Sequence, residues 1–252
     1  MVLHSERDGS GPRIALLHGF GQTGRCWGPL AAALARDHEV VRLDAPGHAG
    51  SGEVAADLPT TGRLAAATAG PAVYLGYSMG ARMALHVATE APEVVRALVL
   101  LGGTPGIEDE AARAERRAAD LALADRIRTG GVPAFVEHWL GLPMFAGLPP
   151  EGRFVDERRR NTAEGLATSL ELAGTGAQAP LWAALPAIEV PVLVVAGADD
   201  LRYAAIAERT AAAIGANATP ALVRGAGHSA HLERPARFVD LVRPWLRAVA
   251  GT

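Results

Sequence analysis

The sequence predicts an α/β domain on a doubly wound, mostly parallel β-sheet, with a helical insertion in the middle of the chain. Three observations carry this. Short apolar runs recur at residues 14–17, 40–43, 73–75, 97–101, 192–195 and 221–223. Helical spacing appears between and after them, at 30–36, 79–90, 204–214 and 235–248. One long stretch, 104–185, contains no strand-like run at all.

The runs from 14 to 101 are mostly apolar at consecutive positions, as strands covered on both faces must be. Strands alternating with helices give right-handed crossovers and a doubly wound sheet. The stretch 104–185 breaks this rhythm with Arg- and Ala-rich helical patterns and Pro/Gly punctuation at 130–133 and 147–150. The core is therefore expected at 1–103 and 186–252, and a helical lid at 104–185. The insertion leaves from the carboxyl side of a strand, where open α/β sheets bind ligands.

The composition limits the function classes. Of 252 residues, 49% are apolar and 20% charged, enough for a sizeable core and unlike a disordered chain. A net charge of -3 provides no electrostatic footprint for nucleic acid. All 24 basic residues are Arg, so no Lys is available as Schiff base or catalytic amine. Cys26 alone allows neither an internal disulfide nor a multi-Cys metal site. The start of the chain is polar, without the apolar core of a signal peptide, and no apolar run suffices for a membrane helix. These features predict a cytoplasmic enzyme or binding protein with no membrane partner. Oligomeric state is not legible.

The strongest motif is Gly76-Tyr77-Ser78-Met79-Gly80. A buried strand precedes it and a helix follows, the setting of a nucleophile elbow that thrusts out Ser78 Oγ. The competing reading is a glycine-rich turn with a helix-capping serine. His18-Gly19-Phe20-Gly21 follows the first apolar run. The N–H of Phe20 and that of Met79, at a helix N-terminus, are candidate donors of an oxyanion hole. Ala226-Gly227-His228-Ser229-Ala230-His231 supplies a late histidine, His228, with His231 as competitor. The orienting acid belongs just past the strand at 192–195, where Asp199 and Asp200 stand side by side. Residue chemistry barely separates them. The remaining histidines are scattered, and no metal-binding spacing occurs.

Along nearly its whole length the chain resembles the α/β-hydrolases. Within them it is similar to the menaquinone-pathway synthases that make 2-succinyl-6-hydroxy-2,4-cyclohexadiene-1-carboxylate. The motifs above carry the likeness, with Arg82 four residues after Ser78, Gly174-Thr175-Gly176-Ala177-Gln178, and Leu181-Trp182. The resemblance implies a triad of Ser78, Asp200 and His228. It implies that Arg82, Arg116 and Arg158 surround an anionic substrate, and that Tyr77 and Trp139 line the pocket. The implied activity is that of a lyase eliminating pyruvate, with no cofactor and no metal, on a small carboxylate substrate. The chain departs from the pattern at Ala198, where an acidic residue is frequent, and at Arg202-Tyr203, where a Lys-Phe-like pair stands. The rival readings are a serine carboxylesterase or C–C bond hydrolase on the same triad, and a ligand receptor that has kept the triad.

Overall fold

The computed structural model describes residues 2–250. Among these, seven strands form one sheet in the order β1-β3-β2-β4-β5-β6-β7. They are β1 (Ser5–Asp8), β2 (Arg13–Leu17), β3 (Glu39–Leu43), β4 (Ala72–Tyr77), β5 (Val95–Leu101), β6 (Val192–Gly197) and β7 (Ala218–Val223). β1 pairs antiparallel with β3, and every other pairing is parallel. The helices are α1 (Gly28–Leu34), α2 (Leu58–Ala69), α3 (Met79–Glu90), α4 (Glu110–Leu140), α5 (Val155–Arg158), α6 (Ala163–Ala173), α7 (Leu201–Ile214), α8 (Ala230–Glu233) and α9 (Pro235–Ala250).

Side chains alternate across a strand, so each consecutive apolar run feeds two layers. Ala15 and Leu17 of β2 join a core with α2, α3 and α7, while Ile14 and Leu16 join one with α1 and α9. Leu98 and Leu100 of β5 divide from Val99 and Leu101 in the same way. The sheet is thus covered on both faces, as its strand composition predicts.

Three elements lie outside the predicted set, β1, α2 and the short α8. β1 reads Ser-Glu-Arg-Asp and has no apolar residue, because it is an antiparallel edge strand and largely solvated. α2 begins Leu-Pro-Thr-Thr-Gly, in which the two Thr and the Gly are poor helix formers, yet Asp57 caps it by accepting from Thr60 N. Its Gly62 lets α3 approach closely: a Cβ there would stand 2.6 Å from the His86 carbonyl. β7 is longer than its predicted apolar run and contains Pro220, which an edge strand tolerates.

Between β5 and β6 the described residues contain helices and turns but no strand. α4 is capped by Asp109 and broken at Gly131, whose φ of 76° is left-handed, two residues before Pro133. Its two halves pack with α6 into a separate apolar cluster that includes Ile127, Phe135 and Leu166. Arg128 on α4 holds Glu164 and Glu171 of α6. No helix among the described residues is long and apolar enough to cross a membrane.

Candidate active site

β4 delivers the chain to Ser78, which adopts φ 53° and ψ −108° before α3 begins at Met79. Positive φ at a residue with a Cβ is strained and persists only where the surroundings impose it. Here both flanking glycines do so. A Cβ on Gly80 would lie 1.8 Å from the Leu17 carbonyl oxygen of β2, and one on Gly76 would lie 2.1 Å from the carbonyl oxygen of Gly80. The strand-to-helix turn closes only because neither residue has a side chain. Ser78 N donates to Leu101 O of β5 at 2.8 Å, which pins the turn to the sheet.

Ser78 Oγ lies 3.1 Å from His228 Nε2, and His228 Nδ1 lies 2.8 Å from Asp200 Oδ2. An Nδ1–H donated to Asp200 leaves Nε2 free to accept the serine proton. The two aspartates separate cleanly. Asp200 Oδ1 accepts from Tyr203 N at 3.3 Å as the cap of α7, while Oδ2 faces the histidine. Asp199 makes only a backbone bond, to Ala226 O, and its side chain hydrogen-bonds neither Ser78 nor His228. Burial pushes the Asp200 pKa up, but His228, the Tyr203 amide and Arg202 outweigh it and hold the carboxyl below its ordinary range. His231 is buried against Trp27 and Tyr77, away from Ser78. Burial pushes its pKa down to about 3, so it stays neutral.

Phe20 and Met79 have backbone N–H groups with no acceptor among the described residues, and their neighbours explain why. Gly19 N donates to Gln22 Oε1 at 3.0 Å, Gly21 N to His48 Nε2 at 3.1 Å, and Ser78 N to Leu101 O. The amides on either side of Phe20 are thus held by side chains. Met79 N opens the twelve-residue α3, at the positive end of its dipole. His18 braces the same loop through Gly19 O and Ala45 N.

A cavity of about 380 Å³ opens over Ser78, bordered by Phe20, Met79, Arg82, Arg116 and Trp139. Arg82 is only 6% exposed. Its Nη1 donates to Ala173 O at 2.7 Å and Gln178 Oε1 at 3.4 Å, and no carboxylate meets it. Burial lowers its pKa to about 10, so it remains a cation at neutral pH. Arg116 lines the cavity too, but its Nε already holds Asp120 Oδ1 at 2.8 Å. Arg158 is 1% exposed and stands apart from the large cavity. It borders a side cavity of about 30 Å³ beside Ser78, together with Tyr77 and Trp139. The three arginines therefore occupy two chambers around Ser78. Arg159 and Arg160 are surface residues with local ion pairs.

A model of the alpha/beta hydrolase family matches residues 14–241. The chain belongs to the α/β-hydrolase family. Among its relatives, this α/β-hydrolase is 35% identical over 264 residues to the 2-succinyl-6-hydroxy-2,4-cyclohexadiene-1-carboxylate synthase of Salmonella schwarzengrund. That alignment spans 98% of this chain and 100% of the relative. The structure of MenH from S. aureus superposes with a TM-score of 0.90 at 27% identity, covering 98% of this chain and 99% of that one. A thermophilic esterase from Thermogutta terrifontis, at 23% identity and TM-score 0.82, covers 98% of this chain and 93% of that one, and shares the fold.

The backbone-holding roles of three nearby residues escaped the sequence reading. Glu233, on α8, accepts from Gly227 N at 2.7 Å and Ser229 N at 3.0 Å, the amides flanking His228. Asp120 accepts from Gly176 N at 3.0 Å while it holds Arg116. Gln22 supports the Phe20 loop. The first two are acids folded back onto backbone, and no residue spacing signals that.

Proposed function

We propose that this α/β-hydrolase is a lyase. It eliminates pyruvate from 2-succinyl-5-enolpyruvyl-6-hydroxy-3-cyclohexene-1-carboxylate, giving 2-succinyl-6-hydroxy-2,4-cyclohexadiene-1-carboxylate in menaquinone biosynthesis. The observation that carries the reading is Arg82. It is a buried cation without a carboxylate partner, one helical turn from the serine and bordering the same cavity. A buried guanidinium favours a planar anion that accepts its fork of N–H donors. The proposed substrate carries three carboxylates, and the name of the 35% identical relative points the same way.

In this reading Ser78 is a relay base. His228, oriented by Asp200, takes the hydroxyl proton as Ser78 Oγ removes a ring proton. Electrons flow into the ring diene, the carbon–oxygen bond to the enolpyruvyl group breaks, and the enolate departs with its oxygen. Phe20 N–H and Met79 N–H receive the charge growing on that oxygen. The abstracted proton finally ends on the departing enolate to give pyruvate, so no water is consumed. Arg82, Arg116 and Arg158 hold carboxylates, Tyr77 and Trp139 shape the pocket, and the helical insertion is its lid.

The same triad geometry serves a serine carboxylesterase or C–C bond hydrolase, in which Ser78 is acylated. The experiment that separates them follows pyruvate release and the absorbance of the conjugated diene, with rapid-quench mass spectrometry of the protein. The lyase shows both products and unmodified Ser78 throughout turnover. A covalent adduct on Ser78 formed at a competent rate would replace this reading with the hydrolase.

A further inference from the structure

The oxyanion donor Phe20 N–H is only as useful as its aim, since such a group must lie within about 0.5 Å and 10–20° of its productive place. Two peptide planes meet at the Phe20 Cα, and each is pinned from outside the cavity. The plane before it carries Phe20 N–H itself. Its carbonyl, Gly19 O, accepts from His18 Nδ1 at 2.8 Å and from Gln22 N at 3.1 Å. The plane after it carries Gly21 N–H, which donates to His48 Nε2 at 3.1 Å. A residue has two soft dihedrals, so fixing both planes fixes Phe20 and the direction of its N–H.

His48 suits this task. It is fully buried in the turn after β3. Its Nδ1 lies 2.9 Å from Pro46 O, which can only accept, so the proton is on Nδ1 and Nε2 keeps the lone pair that Gly21 N–H needs. Burial, with His18 beside it, pushes its pKa down to about 3, so the ring stays neutral. The turn is itself anchored. Asp44 accepts from Gly24 N at 2.7 Å and Gly50 N at 3.0 Å, and Ala49 N donates to Asn161 Oδ1 at 3.0 Å. The His48 ring also meets the Phe20 ring edge-on, with centroids 5.6 Å apart. Yet His48 borders neither cavity beside Ser78, so it is out of reach of a bound substrate.

We infer that His48 is a positioning residue of the oxyanion hole: its Nε2 lone pair, on Gly21 N–H, aims Phe20 N–H at the oxygen that gains charge in the reaction. The inference rests on the role given to Phe20 N–H in the proposed function, and it holds for elimination and acyl transfer alike. Without the acceptor, Gly21 N–H is a buried donor with no partner, and the peptide turns to find one. The loss then falls on the charged transition state and spares ground-state binding.

The test uses the whole protein, a small uncharged trifluoromethyl ketone and its methyl ketone counterpart. Ser78 Oγ adds to the fluorinated carbonyl carbon, its proton passes to His228 Nε2, and the C=O electron pair moves onto oxygen. The resulting oxyanion rests on Phe20 N–H and Met79 N–H, whereas the methyl ketone stays a neutral carbonyl. Fluorine NMR gives the first affinity and competition the second, with circular dichroism as the check on folding. His48→Phe keeps a ring and removes the acceptor, and His48→Gln keeps an acceptor near the Nε2 position. Native protein should bind the fluorinated ketone at least about 100-fold more tightly than the methyl ketone. His48→Phe should weaken the fluorinated ketone about 10- to 100-fold, leave the methyl ketone within about twofold, and lower kcat by a similar factor at unchanged KM. His48→Gln should recover most of the loss.

A folded His48→Phe protein that binds the fluorinated ketone like the native one overturns the inference, as does an equal loss for both ketones. Should His48→Phe fail to fold, a 10-fold loss in folded His48→Gln overturns it. In the native protein, nitrogen-15 NMR should show coupling across the Gly21 N–H to His48 Nε2 bond, and its absence overturns the inference without any variant. Native protein with no preference for the fluorinated ketone refutes the oxyanion hole and His48 with it. Selective loss in His48→Phe, in a protein that releases no pyruvate, supports His48 and refutes the elimination.

Discussion

Asp199 and Asp200 are adjacent and chemically identical, and backbone direction distinguishes them. Only Asp200 sits at the cap of α7 with one oxygen on Tyr203 N and the other on His228. Asp200→Asn should lower kcat about 10³-fold or more, because an amide in that place permits the wrong imidazole tautomer. Asp199→Asn should cost less than about threefold. Steady-state kinetics on the two variants checks the assignment, and equal losses would refute it. Arg82 supports a second expectation. Arg82→Ala should lower kcat/KM for the tricarboxylate about 10- to 100-fold while hydrolysis of a small neutral ester barely changes. Arg82→Lys should recover only part, since Lys lacks the bidentate fork. A parallel fall in both activities would make the arginine a support for Ala173 and Gln178 instead. At this scale the sequence disclosed residue types that announce chemistry: Ser78 between glycines, a late His228, an Arg one turn beyond the elbow. It did not disclose partners. Asp120 takes Gly176 N, and Gln22 holds Gly19, through contacts that only the folded loops create.

Among the elements, α8 shows how a short piece positions a catalytic group. Its last residue, Glu233, is 6% exposed and accepts from the amides on both sides of His228. Glu233→Gln would turn one acceptor into a donor against an N–H and shift the histidine loop. The expected result is a fall of about 10- to 100-fold in kcat with KM nearly unchanged, since misplacement of about 1 Å costs on that order. A fall confined to thermal stability would leave Glu233 a purely structural residue. α9 is tied down differently. Arg243 donates from Nε and Nη2 to both oxygens of Asp37, just beyond α1. Its hydrogen bonds, with help from His38, lower the Asp37 pKa to about 2 against the opposing effect of burial. A depressed carboxyl stabilises the fold above its unfolded value and loses that contribution as pH falls through the folded one. Asp37→Asn should therefore flatten the decline in stability between pH about 4 and about 2 in urea melts. A decline of unchanged slope would count against the tie. Elements were legible in proportion to their burial. Strands covered on both faces announced themselves as apolar runs. β1 did not, because an edge strand of Ser, Glu, Arg and Asp carries no apolar pattern. α2 did not, because its glycine serves close packing against α3 and mimics a breaker.

For the molecule as a whole, alternation of strand and helix was enough to read the sheet's class, and the stretch without apolar runs coincides with the strandless segment between β5 and β6. The meeting of Ser78 and His228 was legible through motif order, while the choice of Asp200 over Asp199 came from the resemblance alone. The division of the arginines between two chambers was not, because it depends on how α5 folds back toward the Phe20 loop. That division also bears on thermal stability. Arg82 and Arg158 are buried cations whose burial lowers both pKa values, and neither has a carboxylate partner. Each raises the free energy of the anion-free protein relative to the unfolded chain, in which its charge is hydrated. A bound anion relieves the cost in the native state only. A polycarboxylate at a hundred times its Kd adds about 2.7 kcal/mol of stability, which for a chain of this size raises Tm by about 5–10 °C. Scanning fluorimetry with the dicarboxylate product and its methyl ester should show the shift for the acid alone. Equal shifts would mean that the charges are already compensated. An enzyme so built is most heat-labile when starved of substrate, so its lifetime in the cell would rise and fall with the supply of the acid it consumes.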